Sequence, residues 1–190
     1  MARAGTNREV EIKLSVTGAA VGRRLLRQAG FRVSRRRVFE DNLIFDTPRL
    51  TLRRGGRLLR LRQVNEAGTL TFKGPAIPGK HKDREELELD GVDPHTAQAI
   101  LSRLGFRPAF RYQKYRTEFR APGGPGVATL DETPIGVFLE LEGSPQWIDR
   151  TARKLGFTEA DYITASYGRL YFEWCRREHV RPAHMVFPGR

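Results

Sequence analysis

The most constraining feature of the sequence is a strict alternation of charged and apolar residues. In the segment EVEIKL, residues 9–14, three charged residues alternate with three apolar ones. A period of two residues places these two sets on opposite faces of a β-strand. Similar segments recur at about 37–46, 57–64, 68–74, 83–90, 109–120, 126–132 and 136–143. Turns containing glycine or proline separate most of them, and the pattern therefore predicts about eight strands.

Four helices are predicted from apolar residues at helical spacing and from capping residues. One runs from Asp93 to Gly105 and another from Ser144 to Gly156, and each opens with a cap residue followed by proline. The other two are expected at about 19–29 and 162–177. Strands and helices together predict an α+β fold.

A unit of strand, helix and Gly-Phe pair occurs three times along the chain. The strands carry Glu-x-Glu pairs at 9–11, 86–88 and 140–142, and the Gly-Phe pairs follow at 30–31, 105–106 and 156–157. The first two units lead into another charged strand, whereas the third leads into the last helix. This repeat indicates that the charged strands belong to one structure.

One domain is expected, because 190 residues can bury a sufficient core without disulfides or structural metal. We predict that it covers 1–178 and that the segment 179–190 is a loose C-terminal tail. The single cysteine, Cys175, excludes a disulfide framework and a thiolate zinc site, which favours a cytoplasmic protein. The segment 1–8 does not resemble a secretory signal, and no apolar run is long enough to span a bilayer, so no membrane partner is predicted.

The charged strand faces allow two arrangements. They can face water while the apolar faces pack against helices, as in an antiparallel sheet with one wet side. Alternatively, eight strands can close into a barrel whose charged faces point inward. The Glu-x-Glu pairs favour the barrel, because carboxylates about 6.6 Å apart on one strand face repel and require cations opposite them. A charged interior is stable only if acids and bases compensate each other.

A barrel lined in this way would suit several linked phosphates held with a divalent metal. Mg²⁺ or Mn²⁺ prefers oxygen ligands, which Glu9, Glu11, Glu140 and Glu142 could supply. The cations that could bind phosphate are Lys13, Arg60, Arg62, Lys73, Arg84, Lys114 and Arg116. The net charge of +12 also attracts phosphates and nucleic acids in general.

The ordered motifs resemble those of the CYTH family, also called triphosphate tunnel metalloenzymes. The segment EVEIK, residues 9–13, is similar to the family's Glu-x-Glu-x-Lys signature. Further matches follow in the family's order: FDT (45–47), LRLR (59–62), TFKGP (71–75), REELE (84–88), KYR (114–116), LD (130–131), FLELEG (138–143) and SY (166–167). The resemblance implies an eight-stranded antiparallel closed barrel with helices packed outside, and metal-dependent processing of triphosphate compounds.

The resemblance also implies roles for individual residues. Asp131 would join the four carboxylates above as a metal ligand. Lys13 would act in catalysis as well as in phosphate binding, and Glu86 or Glu88 would orient the attacking water. The family often has a lysine before the late Ser-Tyr pair, where this chain has Ala165. A homodimer is compatible with the family.

Three functions are weighed. The first is hydrolysis of an inorganic or organic triphosphate, and the second is the class IV adenylate cyclase reaction, which converts ATP to cyclic AMP and pyrophosphate. The third is non-catalytic binding of polyphosphate or nucleic acid through the basic runs 35–37, 53–54 and 176–177. No aromatic residues interleave with these runs to form a base-stacking platform, which makes nucleic acid the less favoured partner.

Other residues are expected to be structural. Trp147, Tyr167, Tyr171 and Trp174 are predicted to pack against the outer wall of the barrel. The four histidines, His81, His95, His179 and His184, lack metal-ligand spacing and are expected at the surface. The run 35–37 is predicted to be a solvated basic loop.

Overall fold

Eight antiparallel strands form a closed barrel in the computed structural model, which describes residues 7–189. The strands are β1 (Asn7–Val16), β2 (Arg32–Asp46), β3 (Leu58–Val64), β4 (Ala67–Lys73), β5 (Lys82–Val92), β6 (Arg107–Arg120), β7 (Val127–Thr133) and β8 (Gly136–Glu142). Their order around the barrel is β1-β5-β4-β3-β2-β6-β7-β8, and β8 pairs with β1. The predicted barrel is confirmed. Residues 1–6 and residue 190 lie outside the described part of the chain. The start of the predicted domain, the last residue of the predicted tail and most of the segment 1–8 therefore lie outside it as well.

The charged strand faces point into the barrel. Lys13 and Lys114 are only 2% exposed, whereas the alternate residues of β1 and β8, such as Leu14 and Leu139, pack in an apolar core outside the barrel wall. Because the charged side chains are buried, the arrangement with one wet sheet face is wrong.

Among residues 7–189, five helices lie outside the barrel. They are α1 (Ala19–Gln28), α2 (Thr51–Arg54), α3 (Pro94–Arg103), α4 (Pro145–Lys154) and α5 (Tyr167–Arg177), and a 3₁₀ turn covers Glu159–Asp161. Helices α1 and α4 cover β1, β7 and β8, α3 covers β3 and β4, and α5 packs on β6. All four predicted helices are present.

The last helix begins five residues later than predicted, at Tyr167. The hydroxyl of Ser166 accepts a hydrogen bond from the backbone N–H of Arg169 and caps the helix there. The preceding Ile163 instead exchanges two backbone hydrogen bonds with Lys13, of 2.8 and 2.9 Å. This pairing holds the start of α5 against the end of the barrel.

The basic run 35–37 is part of β2 and not a loop. Arg35 lies opposite Glu118 of β6, and their side chains form an ion pair of 3.4 Å. Arg37 donates to Glu132 at 2.9 Å. Carboxylates on neighbouring strands therefore compensate the charges of this run within the sheet.

The segment after α5 is held against β6, although a loose tail was expected. The N–H of Met185 donates to the carbonyl of Arg111 at 3.0 Å, and the N–H of Gln113 donates to the carbonyl of Met185 at 2.8 Å. The Met185 side chain is completely buried. The N–H of Phe187 also donates to the side-chain oxygen of Gln113 at 3.1 Å, so several contacts dock this segment although its apolar content is low. In the described part of the chain, no helix is long and apolar enough to cross a membrane.

Candidate active site inside the barrel

A cavity of about 780 Å³ lies inside the barrel and reaches α2 and α5 at one end. The inward-facing charged residues of the strands form its wall. Thirteen predicted site residues line it: Glu9, Glu11, Lys13, Arg60, Arg62, Lys73, Arg84, Glu86, Glu88, Lys114, Arg116, Glu140 and Glu142. The fourteenth, Asp131, lies behind the wall with no exposed surface.

Two carboxylates of β1 are held by cations of β4 and β5. Glu9 accepts from Lys73 at 2.5 Å and from Arg84 at 3.1 Å. Glu11 accepts from Lys82 at 2.7 Å. Burial, together with neighbouring positive charges, lowers the pKa of Lys82 to about 8 even though Glu11 opposes this shift.

Glu142 lies directly opposite Glu11 on β8 and has no ion-pair partner among residues 7–189. Desolvation first, and then the charges of Glu9, Glu11 and Glu86, raise its pKa to about 7. Four carboxylates therefore crowd one region of the cavity, and a further cation there would relieve their repulsion.

Asp131 organises the cations of β6 from behind the wall. One of its oxygens accepts from Lys114 at 2.8 Å and from the hydroxyl of Tyr167 at 2.7 Å, and both oxygens accept from Arg116 at 2.6–2.7 Å. This placement favours a role in positioning two cations over the predicted role of metal ligand. Glu140 contacts Arg116 and Lys13, and these cations lower its pKa although burial works in the other direction.

The remaining cations meet the carboxylates of β5. Arg60 and Arg62 approach Glu88 at 3.4 and 3.5 Å, and Lys73 lies 2.8 Å from Glu86. Burial is the main cause of a raised pKa at Glu86. Both predicted water-orienting residues therefore lie beside phosphate-binding candidates.

The interior contains as many carboxylates as cations. The cations are Lys13, Arg60, Arg62, Lys73, Lys82, Arg84, Lys114 and Arg116, and the carboxylates are Glu9, Glu11, Glu40, Glu86, Glu88, Asp131, Glu140 and Glu142. Every one of these eight cations lies within 4 Å of a carboxylate oxygen. The formal charges of the interior thus cancel, and the formal net charge of +12 belongs to the rest of the chain.

The sequence model of the family described as CYTH domain matches residues 7–167, which are most of this chain and include all eight strands of the barrel. The chain belongs to this family. The resemblance seen in the motifs is confirmed, and membership is consistent with a triphosphatase or a class IV adenylate cyclase that depends on a divalent metal.

Several proteins are similar to this CYTH chain. A provisionally named adenylate cyclase of Methanocaldococcus jannaschii is 29% identical over 137 residues, covering 72% of this chain and 77% of the relative. The PH1819 protein of Pyrococcus horikoshii OT3 is 26% identical with a TM-score of 0.72, and 87% of this chain covers 98% of that one. A provisionally named adenylate cyclase of Vibrio parahaemolyticus has a TM-score of 0.74 at 23% identity, again over 87% and 98% of the chains, and this likeness shows the fold.

The crowded carboxylates fit the divalent metal of a CYTH protein by their chemistry. Carboxylate oxygens are suitable ligands for Mg²⁺ and Mn²⁺, and Glu142 has no cationic partner among residues 7–189. Among residues 7–189, no three such groups converge on a ready-made site. Glu9 is bonded to Lys73 and Arg84, and Glu11 is bonded to Lys82, so metal binding requires these carboxylates to exchange partners.

Sequence reasoning missed three residues of this CYTH interior. Lys82 could have been found by extending the alternation of β5 two residues before Arg84. Glu40 is 1% exposed and lies 3.6 Å from Lys114, and although burial opposes ionisation, the surrounding cations lower its pKa to about 2. Glu40, like Lys82, occupies an inward-facing position in the alternation of its strand, β2. The third is Tyr167.

Tyr167 was expected outside the barrel and instead enters it. Its hydroxyl binds Asp131, and its ring centre lies 5.2 Å from the Nζ of Lys13 and 5.1 Å from that of Lys114. As the first residue of α5, it points past the helix into the barrel end. His81 is also buried and bonded to Asp149 at 2.7 Å, so its expected surface position is wrong.

Proposed function

We propose that this CYTH protein hydrolyses a triphosphate compound that it binds inside the barrel together with a divalent metal, Mg²⁺ or Mn²⁺. The observation that carries the proposal is the neutral interior, where eight paired cations face a cluster of crowded carboxylates. Cations can exchange a carboxylate for a phosphate oxygen, and carboxylates can exchange a lysine for a metal. The interior thereby accepts the two components together without leaving a buried charge unpaired.

The phosphates would be bound by cations of β1, β3 and β6. Lys114 and Arg116 are held in place by Asp131, and Lys13 lies 3.2 Å from Glu140. Arg60 and Arg62 add two more guanidinium groups. Charge-assisted bonds from such fixed donors stabilise the charge of a phosphoryl group during transfer.

The metal would be held by Glu9, Glu11 and Glu142, with Glu140 as a further oxygen donor. A bound divalent ion would neutralise phosphate charge and bring the phosphates into line for transfer. Glu86 would accept a proton from the attacking water, because its raised pKa makes it a better base than an ordinary carboxylate. Glu88, which is more exposed, would orient that water.

A substrate screen tests the proposed activity. Purified protein is incubated with inorganic triphosphate, thiamine triphosphate or ATP, with Mg²⁺ or Mn²⁺, and the products are identified. We expect orthophosphate and the corresponding diphosphate, and no turnover in a chelator. Release of cyclic AMP and pyrophosphate from ATP would instead identify the cyclase reaction, which the name of the M. jannaschii relative makes the alternative. Tight binding without metal-dependent turnover would identify a binding module.

Adjacent glutamates of β5 provide a matched pair of variants. We expect Glu86→Gln to lower kcat at least about a hundredfold, since general-base catalysis contributes a factor of this order. The neighbouring Glu85 is exposed and absent from the cavity wall, so Glu85→Gln should keep wild-type activity. Full activity of Glu86→Gln would remove Glu86 from the mechanism, and full metal-dependent activity of Glu11→Ala would remove Glu11 from the metal site.

A further inference from the structure

A cluster of polar side chains lies outside the barrel wall and does not line the cavity. The carboxylate of Asp149 on α4 lies 2.7 Å from the ring nitrogen Nε2 of His81 and accepts from the hydroxyl of Tyr162 at 3.1 Å. The ammonium of Lys80 lies 2.9 Å from Asp149 and 2.6 Å from Glu159. These five residues are called the Asp149 cluster, and they join the loop before β5, α4 and the segment before α5.

Two separate segments share one edge of β1 beside this cluster. On the edge opposite β8, β5 pairs with β1 as far as Glu11, whose partner is Lys82, the first residue of β5. Two residues further along β1, Ile163 pairs with Lys13 through two backbone hydrogen bonds. The partner of β1 therefore changes between Lys82 and Ile163.

The Asp149 cluster holds these two segments together from outside. His81 directly precedes Lys82, Tyr162 directly precedes Ile163, and the rings of His81 and Tyr162 lie 6.0 Å apart. Both side chains are bonded to the same oxygen of Asp149. Hydrogen bonds to a charged acceptor are stronger than those between neutral groups. The shared carboxylate therefore fixes the end of β5 in its place on β1.

Inside the barrel, the same end of β5 holds Glu11. The Oε1 atom of Glu11 accepts from Lys82 at 2.7 Å and from Lys13 at 3.2 Å. Consecutive residues of the chain thus bind an acid on each side of the wall, since His81 contacts Asp149 outside and Lys82 contacts Glu11 inside. A divalent ion that binds Glu11 has to displace the ammonium of Lys82.

We propose that Asp149 is a positioning residue that keeps Lys82 on Glu11 and thereby lowers the affinity of the site for a divalent metal. The inference rests on the proposed function, because it concerns the regulation of the same metal site. While the Asp149 cluster is intact, Lys82 competes with the metal for Glu11. Without the cluster, the end of β5 separates from β1 more often, and Glu11 is available to the metal for more of the time.

Calorimetry with Mn²⁺ alone tests the inference independently of turnover. Asp149→Ala removes the shared acceptor, and we expect it to bind Mn²⁺ about fivefold more tightly than wild type, as the loss of charge-assisted bonds that hold a competing group would allow. Other effects of this change have the opposite sign. Losing a negative charge makes the protein more repulsive to Mn²⁺, and a merely structural defect weakens binding.

Two further variants separate positioning from charge and from folding. Glu66→Ala removes the same charge from an exposed turn between β3 and β4, and it should not tighten Mn²⁺ binding. Tyr162→Phe removes one hydroxyl from the cluster without changing the charge, and it should tighten Mn²⁺ binding about twofold. Urea unfolding checks that the variants are folded, and Tyr162→Phe carries the test if Asp149→Ala does not fold.

A double-variant cycle tests whether Asp149 acts through Lys82. Lys82→Met removes the competing ammonium itself, so it should tighten Mn²⁺ binding at least as much as Asp149→Ala does. Adding Asp149→Ala to Lys82→Met should then change the Mn²⁺ affinity by less than about twofold. A fivefold gain that persists in the Lys82→Met background would overturn the inference, because Asp149 would then act by another route.

Other results would also overturn it. Equal or weaker Mn²⁺ binding by Asp149→Ala would show that the cluster does not oppose the metal, and a failure of both proteins to bind Mn²⁺ would remove Glu11 from a metal site. Tighter Mn²⁺ binding by the variant, in a protein that hydrolyses no triphosphate, would contradict the proposed function alone. Hydrolysis by wild type, with equal Mn²⁺ affinity in the two proteins, would contradict the inference alone.

Discussion

At the scale of single residues, the Glu142 carboxylate shows how the crowded acids affect stability. Its pKa is raised to about 7 by desolvation and by Glu9, Glu11 and Glu86, so the folded state binds a proton more tightly than the unfolded chain does. The stabilisation from this proton is complete below the unfolded pKa of about 4.3 and is lost as the pH rises through 7.

We therefore expect Glu142→Gln to be more stable than wild type at pH 8 in the absence of metal. The gain should be only about 1 kcal/mol, because the side chain is partly open to solvent. The difference should vanish near pH 4, where both proteins carry a neutral group at this position. Urea unfolding at the two pH values measures it, and an equal gain at both would exclude titration of Glu142 as the cause.

Asp131 tests the distinction between positioning a cation and holding a metal. Asp131→Asn removes the buried carboxylate that Lys114 and Arg116 share, and we expect a loss of about 3 kcal/mol in unfolding free energy. Affinity for Mn²⁺ alone should be unchanged, since the side chain does not reach the cavity wall. A tenfold loss of Mn²⁺ affinity, measured by calorimetry, would restore the predicted role of metal ligand. Tyr167→Phe should lower the unfolding free energy less than Asp131→Asn does, and it should also leave Mn²⁺ affinity unchanged.

At the scale of elements, the docked segment after α5 supports the mouth of the cavity. Met185 is completely buried against β6, and His184 packs against Phe110 with ring centres 6.3 Å apart. We expect Met185→Ala to lower the unfolding free energy by about 2–3 kcal/mol. The exposed Arg181→Ala is the control and should have little effect. If thermal unfolding shows the same stability for both variants, the segment does not contribute to the fold.

Strands were predictable and the smallest helix was not, for a physical reason. The alternation of charged and apolar residues in β1 and β8 distinguishes the two faces of each strand directly, so most strand ends were predicted to within a few residues. Helix α2 has only four residues, and it depends on Asp46, whose oxygens accept from the backbone N–H groups of Leu52 and Arg53 at 2.9 Å. Such hydrogen bonds join residues that are several positions apart, and they leave no periodic pattern in the sequence.

The same limit explains the errors within the site. Helical spacing in α5 identified a common face for its aromatic residues, but it does not reveal that Tyr167 lies at the end of the helix and enters the barrel. The motif around Asp131 placed this residue among the inward positions, as the structure does. It did not reveal that Lys114 and Arg116 would separate the carboxylate from the cavity, because that depends on how three neighbouring side chains share the space.

At the scale of the whole molecule, a neutral interior inside a chain of net charge +12 predicts how ligands bind together. Triphosphate alone adds negative charge to a balanced set of buried pairs, and Mg²⁺ alone adds positive charge. Bound together, they largely compensate each other. Since unpaired buried charge is costly, each ligand should increase the affinity for the other.

Thermal unfolding in four conditions measures this coupling: no ligand, Mg²⁺, inorganic triphosphate, and both ligands together. The buffer is free of Ca²⁺, and the temperature ramp is fast enough to limit hydrolysis. We expect the shift in Tm with both ligands to exceed the sum of the separate shifts by about 2–4 °C or more, which corresponds to about 1 kcal/mol of coupling in a chain of this size. Glu11→Gln removes one carboxylate from the balanced set, and its coupling should be smaller. Additive shifts in wild type would mean that the two ligands bind without sharing the charges of the interior.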